Sequence, residues 1–363
     1  MVLIGIISQA LLYFCFALLV GSFLLYIVPS IYRPDINVPK GALMLALGGI
    51  AILSFIPVFQ VILHLYQDIG LARTFQSVIF TFEIGKSWVF TYIIANILFI
   101  FVVWFDYRKN SLYSYIGIIL TFILILALGW SSHASSYVQI KGFFSHTTHF
   151  TAVSLWVGIL MVVSWFSNDK SNWHKFLKWF TPVALLCFGI TIVTGLVLMS
   201  FVMEFKDYTN SWMIPYGQAL LIKHLLIIPL LLFASFNSLF IRKKLNNVTN
   251  FNPIPWLRIE SIVILFIFSA TAALGQQSPP HESTLTNEGV SKLFLIFYQG
   301  QFTTEMKVDF VLNWTSISFF MFSVLFLVLI VLSFIKKAPA RIAFLMALLF
   351  VVCGYLSLIL SIK

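Results

Sequence analysis

The chain has 363 residues, of which 60% are hydrophobic and 9% charged, and its formal net charge is +10. A water-soluble domain carries roughly a quarter of its residues as charges, so that class is excluded. Apolar runs of ~18 residues or more, enough to cross ~30 Å of hydrocarbon, recur from end to end. They predict an all-α polytopic membrane protein, a helical bundle of about ten transmembrane helices forming one transmembrane domain over 1–363.

The predicted spans are about 3–29, 41–66, 86–106, 113–131, 143–167, 176–204, 216–241, 256–275, 312–335 and 340–361. No Lys or Arg precedes the first span and no small-residue cleavage pattern follows it, which predicts a retained helix rather than a signal peptide. Span two carries Pro57, Gln60 and, at its end, His64; the proline frees carbonyl groups and can kink the helix. Spans four and five are separated by SSHASSYVQIKGFFSHTTHF (131–150), which holds His133, His146 and His149, three of the seven histidines. In span six, Pro182 and the pair Thr194–Gly195 read as packing and bend devices, with Met199 and Met203 at its far end. Span seven contains Lys223, His224 and Pro229, and span eight opens with Arg258 and Glu260. The longest connection, about 276–311, includes the mildly apolar KLFLIFYQGQF, suited to lie on the membrane or cap the bundle. Two additional helices, 312–361, complete the chain.

Basic residues orient the bundle, because short loops rich in Lys and Arg stay in the cytoplasm. Fourteen fall in one set of loops and seven in the other, which predicts both termini outside. The positive charge then belongs to a cytoplasmic face beside anionic lipid headgroups, and no nucleic-acid partner is needed to explain it. Cys15, Cys187 and Cys353 stand singly, without CxxC or CxxCH, as small buried hydrophobes. No phosphate-binding GxxxxGK[ST] loop occurs and no cytoplasmic loop exceeds about twenty residues, so nucleotide-driven pumping has no domain to run it. The expectation is passive or ion-coupled transport, not an enzyme.

With this orientation, six of the seven histidines lie on the outer face or in the outer half; His174 is the exception. His224 sits about eight residues below the outer start of span seven, roughly 12 Å deep at 1.5 Å per residue. Imidazole is the commonest protein metal ligand, and nitrogen with thioether sulfur accommodates copper in both oxidation states. His146 and His149, spaced i, i+3, share a helix face that His133 can meet across a short loop. The candidate metal ligands are His133, His149, His146, His64, His224, Met199 and Met203, with Met213 and His281 nearby. The bland reading makes His146 or His281 a headgroup-facing residue and the methionines packing filler. His149 and His224 resist it, since an ionisable side chain inside a span is costly and usually faces the bundle interior. Glu260 reads as an internal hydrogen-bond or ion-pair partner.

Several stretches resemble the bacterial copper resistance protein D family. SSHA (131–134) is similar to its G-H-A stretch, with Ser132 in place of Gly, and HFTAVSLWVG (149–158) to its His followed by W-x-G. IPYGQALLIKHLL (214–226), continuing through Asn237 to Arg242, resembles its Y-G-x-x-L-x-x-K segment, and RIESIVIL through SPP (258–280) its last Glu-bearing helix and Pro pair. The likeness covers a core of about 130–285. It implies a multi-pass protein of the bacterial cytoplasmic membrane that moves copper into the cytoplasm, and it singles out His133, His149, Trp156, Tyr216, Lys223 and Glu260. Fused members of this family carry an outer copper-binding domain ahead of the membrane part; this sequence shows none, which implies a separate extracytoplasmic copper carrier as partner.

Two functional classes follow. In a copper transporter, outer His and Met side chains capture the ion and the His149/His224 level relays it, with Trp156, Tyr216, Lys223 and Glu260 supporting or gating. Neutral imidazole is the liganding form, so capture weakens below about pH 6.5, and Lys223 beside His224 opposes a bound cation unless it turns away. In the alternative, paired histidines hold haem b in a membrane electron carrier; a third, blander option is a scaffold for copper delivery. A Soret band separates haem from copper, and vesicle uptake separates transport from scaffolding.

Overall fold

The computed structural model of the protein describes residues 1–169, 171–240, 252–280, 289–300, 303 and 306–363. The described residues are almost entirely helical. Among them, ten helical segments are long and apolar enough to cross a membrane, running from Val2–Ile27 to Ala340–Leu360, as the spans predict. The chain divides into two compact units, Met1–Phe201 and Val202–Lys363.

In the first unit, α1 (Val2–Ile27) packs against α2 (Lys40–Leu53), α6 (Ser111–Trp130) and α7 (His133–Phe166). Lipid tails are as apolar as leucine, so helices in a membrane associate through close packing and small residues. Gly21 and Gly158 supply the closest approach. A Cβ on Gly21 would stand 2.1 Å from the Gly158 carbonyl carbon, and one on Gly158 2.2 Å from the Ala17 oxygen. The ring of Phe23 rests in the same way on Gly117 of α6.

Pro57 offers no N–H to the Leu53 carbonyl, and α2 parts there from α3 (Phe55–Ile69) at Ser54, whose hydroxyl donates to Ile50 O at 2.6 Å. Gly70, at φ +79°, then turns the chain into α4 (Leu71–Phe80), a short amphipathic helix that the span pattern does not anticipate. It lies against α5 (Glu83–Trp104) at Gly85, where a Cβ would meet Val78 O at 1.9 Å. Pro182 is accommodated within α8 (Trp173–Ser200).

Residues 132–142, expected as a loop, are largely helical instead. α7 begins at His133 and is broken at Val138 and Gln139, the latter at φ +46°, ψ −119°. The break folds the first turn back onto the rest of the helix, and a Cβ on Gly142 would lie 1.8 Å from Ala134 O.

In the second unit, α9 (Pro215–Ser235) continues into a π-helical turn, Phe236–Phe240, and packs against α10 (Ile254–Leu274) and against α13 (Ala340–Leu360). Pro229 lies inside α9 without ending it. α12 (Trp314–Ile335) forms a hairpin with α13, and Asn313 caps it through a reciprocal hydrogen-bond pair with Ser316. The long connection carries α11 (Lys292–Phe297), whose Phe294 is fully buried beside Trp212, Met213, Leu221 and Tyr355. This part of the connection is packed against the ends of α9 and α13.

Candidate functional site

The first unit gathers the histidine-bearing stretch around the break in α7. His133 is exposed at its first residue. The fold-back brings His133 within electrostatic range of His146. The His146 ring lies parallel to Phe150, centroids 6.3 Å apart, and its Nδ1 is buried without a hydrogen-bond partner. Phe150 in turn contacts Tyr13 and Phe16 of α1.

His149, three residues on, turns to α8: its Nδ1 lies 3.0 Å from Thr194 Oγ1. Thr194 has one hydroxyl proton, and Ile190 O accepts it at 2.6 Å. With that proton placed on Ile190 O, Thr194 Oγ1 can accept from the ring in the tautomer that carries hydrogen on Nδ1. Gly195 makes room for the ring; a Cβ there would touch His149 Cε1 at 3.5 Å. Thr194 and Gly195 thus seat a histidine as well as pack. Trp156 follows on the same face, one further heptad along, with its indole Nε1 buried and unpartnered.

Met199 is half-buried in the last turn of α8, and His64 is exposed on α3. Among the described residues no group of three or more His, Cys, Asp or Glu stands close enough to hold a metal ion. His133 and His146 interact electrostatically and His149 faces Thr194, so a completed coordination shell needs thioether, backbone or solvent donors, or movement of a side chain. His281 lies outside the described residues.

In the second unit, His224 Nδ1 lies 2.6 Å from the Tyr208 hydroxyl. Burial raises the Tyr208 phenol above its ordinary value, so it stays protonated. If that proton points at His224, Nδ1 is an acceptor and Nε2 carries hydrogen; only the opposite tautomer leaves Nε2 a ligand. Lys223 is half-buried and forms no ion pair among the described residues. Met203 and Met213 are buried, Met213 completely. Tyr216 is half-buried in the first turn of α9.

Two polar networks brace this unit. Gln218 donates to Trp212 O and accepts from Tyr355 OH, tying the entry to α9 to the last helix. Near the other end of α9, Glu260 accepts from Asn237 Nδ2 at 2.5 Å. Thr194, Tyr208, Gln218 and Asn237 are the partners that residue type and spacing alone did not identify.

Residues 174–274 match the family model of copper resistance protein D. Met199, Met203, Tyr216, Lys223, His224 and Glu260 fall inside the match; His64, His133, His146, His149 and Trp156 precede it. The chain is also 30% identical over 149 residues to Copper transport protein CutJ of Bacillus subtilis (strain 168), an alignment covering 38% of this chain. The chain spans about a quarter, 27%, of the length of that relative. No solved structure matches. The sequence resemblance to the copper resistance protein D family is borne out over 174–274, and the ten long apolar helices make this a multi-pass membrane protein.

Proposed function

We propose that the chain is a copper transporter of the bacterial cytoplasmic membrane, with both termini outside, that carries the ion inward. The family match and the name of the relative support copper as the substrate. The positive-inside bias supports the orientation, and the inward direction rests on the family resemblance.

The observation that carries the site is the seating of His149. Its Nδ1 is hydrogen-bonded to Thr194, which orients the ring, and one turn earlier His146 holds a buried ring nitrogen with no protein partner. A buried polar atom left unpaired costs roughly 1–3 kcal/mol, a cost that a bound cation removes. His133, at the folded-back start of α7, is the exposed first contact. Met199 supplies thioether sulfur in the same unit, and His64 extends the outer donor set. In the second unit Met203 and His224 serve the onward path, with Tyr216, Lys223 and Glu260 lining or gating it and Trp156 walling the first site. A separate extracytoplasmic carrier delivers the ion.

The test is copper binding and vesicle uptake by the purified full chain beside its His133→Ala, His146→Ala and His149→Ala variants. Loss of bound copper in the His149 and His146 variants is expected. Unchanged copper content in all three removes the site, and a Soret band that disappears with His149 replaces it with haem.

A further inference from the structure

Glu260 is a carboxyl group only 4% exposed in the second unit, and among the described residues it forms no ion pair. An aromatic cluster is anchored on the same helix. Trp256, one turn before Glu260 on α10, contacts Phe233, Phe236 and Phe334, and Phe236 stacks on Phe334 at 4.7 Å. The hydrogen-bond partner of Glu260 is Asn237, which donates through Nδ2. The other end of that amide, Asn237 Oδ1, is buried with no partner.

These facts do not suit a carboxylate. An ionised Glu260 is acceptor-only; it leaves a buried charge with no ion-pair partner among the described residues and can do nothing for Asn237 Oδ1. Burying such a charge without a counter-ion is among the costliest arrangements a protein can hold. One added proton resolves both defects. A neutral carboxylic acid has one O–H donor, and a carboxamide facing it offers one donor and one acceptor. The two groups can then close a ring, with Asn237 Nδ2–H bonded to Glu260 Oε2 and Glu260 O–H bonded to Asn237 Oδ1. Asn237 is placed for this by the π-helical turn that ends α9, an irregularity often found at functional positions.

Among the described residues, the ionisable groups on the packed elements are few. α9 carries Tyr216, Lys223 and His224. α13 carries Arg341, Cys353 and Tyr355, and Arg258 precedes Glu260 on α10 itself. α12 has none, and exposed Lys336 and Lys337 follow it. Arg258 and Arg341 are exposed.

We propose that Glu260 and Asn237 form a proton-binding site, loaded at rest, whose discharge and reloading couple transport by this chain to the proton gradient. Loading forms one O–H bond on Glu260 with a proton taken from water; discharge returns that proton to water and leaves the carboxylate. The coupling rests on the transport reading above, whereas the proton site does not.

Infrared spectra of the copper-free purified chain at neutral pH test the site directly. A protonated carbonyl band that shifts in D2O, and is lost in Glu260→Gln, is expected. Asn237→Leu should shift the same band, because it removes the acceptor. No band dependent on Glu260 overturns the proposal. Vesicles loaded with a pH dye then test the coupling with copper salts. Copper flux in the natural chain should move protons, and Glu260→Gln should lose that proton movement. Copper flux with no proton movement in the natural chain overturns the coupling. A Glu260 band without copper flux sinks the transport reading and the coupling together, and leaves the proton site standing.

Discussion

His149 Nδ1 lies 3.0 Å from Thr194 Oγ1, whose own hydroxyl donates to Ile190 O, so a backbone carbonyl on α8 orients the hydroxyl that faces an imidazole on α7. The relationship predicts the effect of changing a residue that need not touch the ion. Thr194→Val removes the acceptor and leaves the ring free to turn and to move its proton. Loss of such an orienting partner typically costs 10–100-fold in metal affinity. Copper titration of Thr194→Val should show a weakening in that range, while Thr194→Ser, which keeps the oxygen, should bind as the natural chain does. Equal affinity in all three proteins would show that the hydrogen bond orients nothing.

A second prediction concerns stability alone. Gly21 and Gly158 bring the backbones of α1 and α7 into contact, so Gly158→Ala must force them apart. Overpacking of this kind costs typically 1–3 kcal/mol. Thermal unfolding in detergent should show a clearly lowered midpoint for Gly158→Ala. Gly41→Ala, at a position with no atom within 4 Å of the added Cβ, should leave it unchanged.

Gln218 is the buried junction between Trp212 O and the Tyr355 hydroxyl. Tyr355→Phe removes the donor and strands Gln218 Oε1, at a cost of about 1–3 kcal/mol. Adding Gln218→Met removes the stranded oxygen, though it also frees Trp212 O. Unfolding of the two single variants and the double variant should therefore be non-additive, the double variant less destabilised than the sum. Additivity would mean that the two side chains are not coupled.

The turn between α5 and α6 predicts a pH response. Arg108 bonds both oxygens of Asp106, at 2.9 and 3.2 Å, and holds its carboxyl below the usual carboxylate range. Because the folded value is the lower one, this clamp stabilises above the unfolded value of about 3.9 and is lost as pH falls through the folded value. Its worth is at most about 1 kcal/mol, since the pair is partly exposed. Arg108→Gln should lower the unfolding midpoint slightly near neutral pH, and the difference should shrink below about pH 4. A constant difference across the range would place the effect of Arg108 elsewhere than on Asp106.

The ten spans were legible because length and apolarity are local properties, and the break before Pro57 could be read because a missing N–H acts on a fixed neighbour. α4 escaped, being a ten-residue amphipathic helix with Arg73 in its first turn and too short to register as a span. The fold-back of 133–142 depends on Gly142 receiving Ala134 O and on Gln139 entering the left-handed region, and neither leaves a periodic trace. His149 could be singled out for its position in a span, but its partner is 45 residues away. The Asn237–Glu260 pair was half visible: the buried acid stood out, while the amide completing it sits in a π-turn that no hydrophobic pattern announces.

The glycine crossing of α1 and α7 also limits how the first unit can move. Two rods touching main chain to main chain can pivot about that spot, but they cannot separate there without forfeiting the contacts that join them. Any opening in this unit is thereby confined to the stretches on either side of the fulcrum, and the folded-back turn bearing His133 lies at the end of one lever.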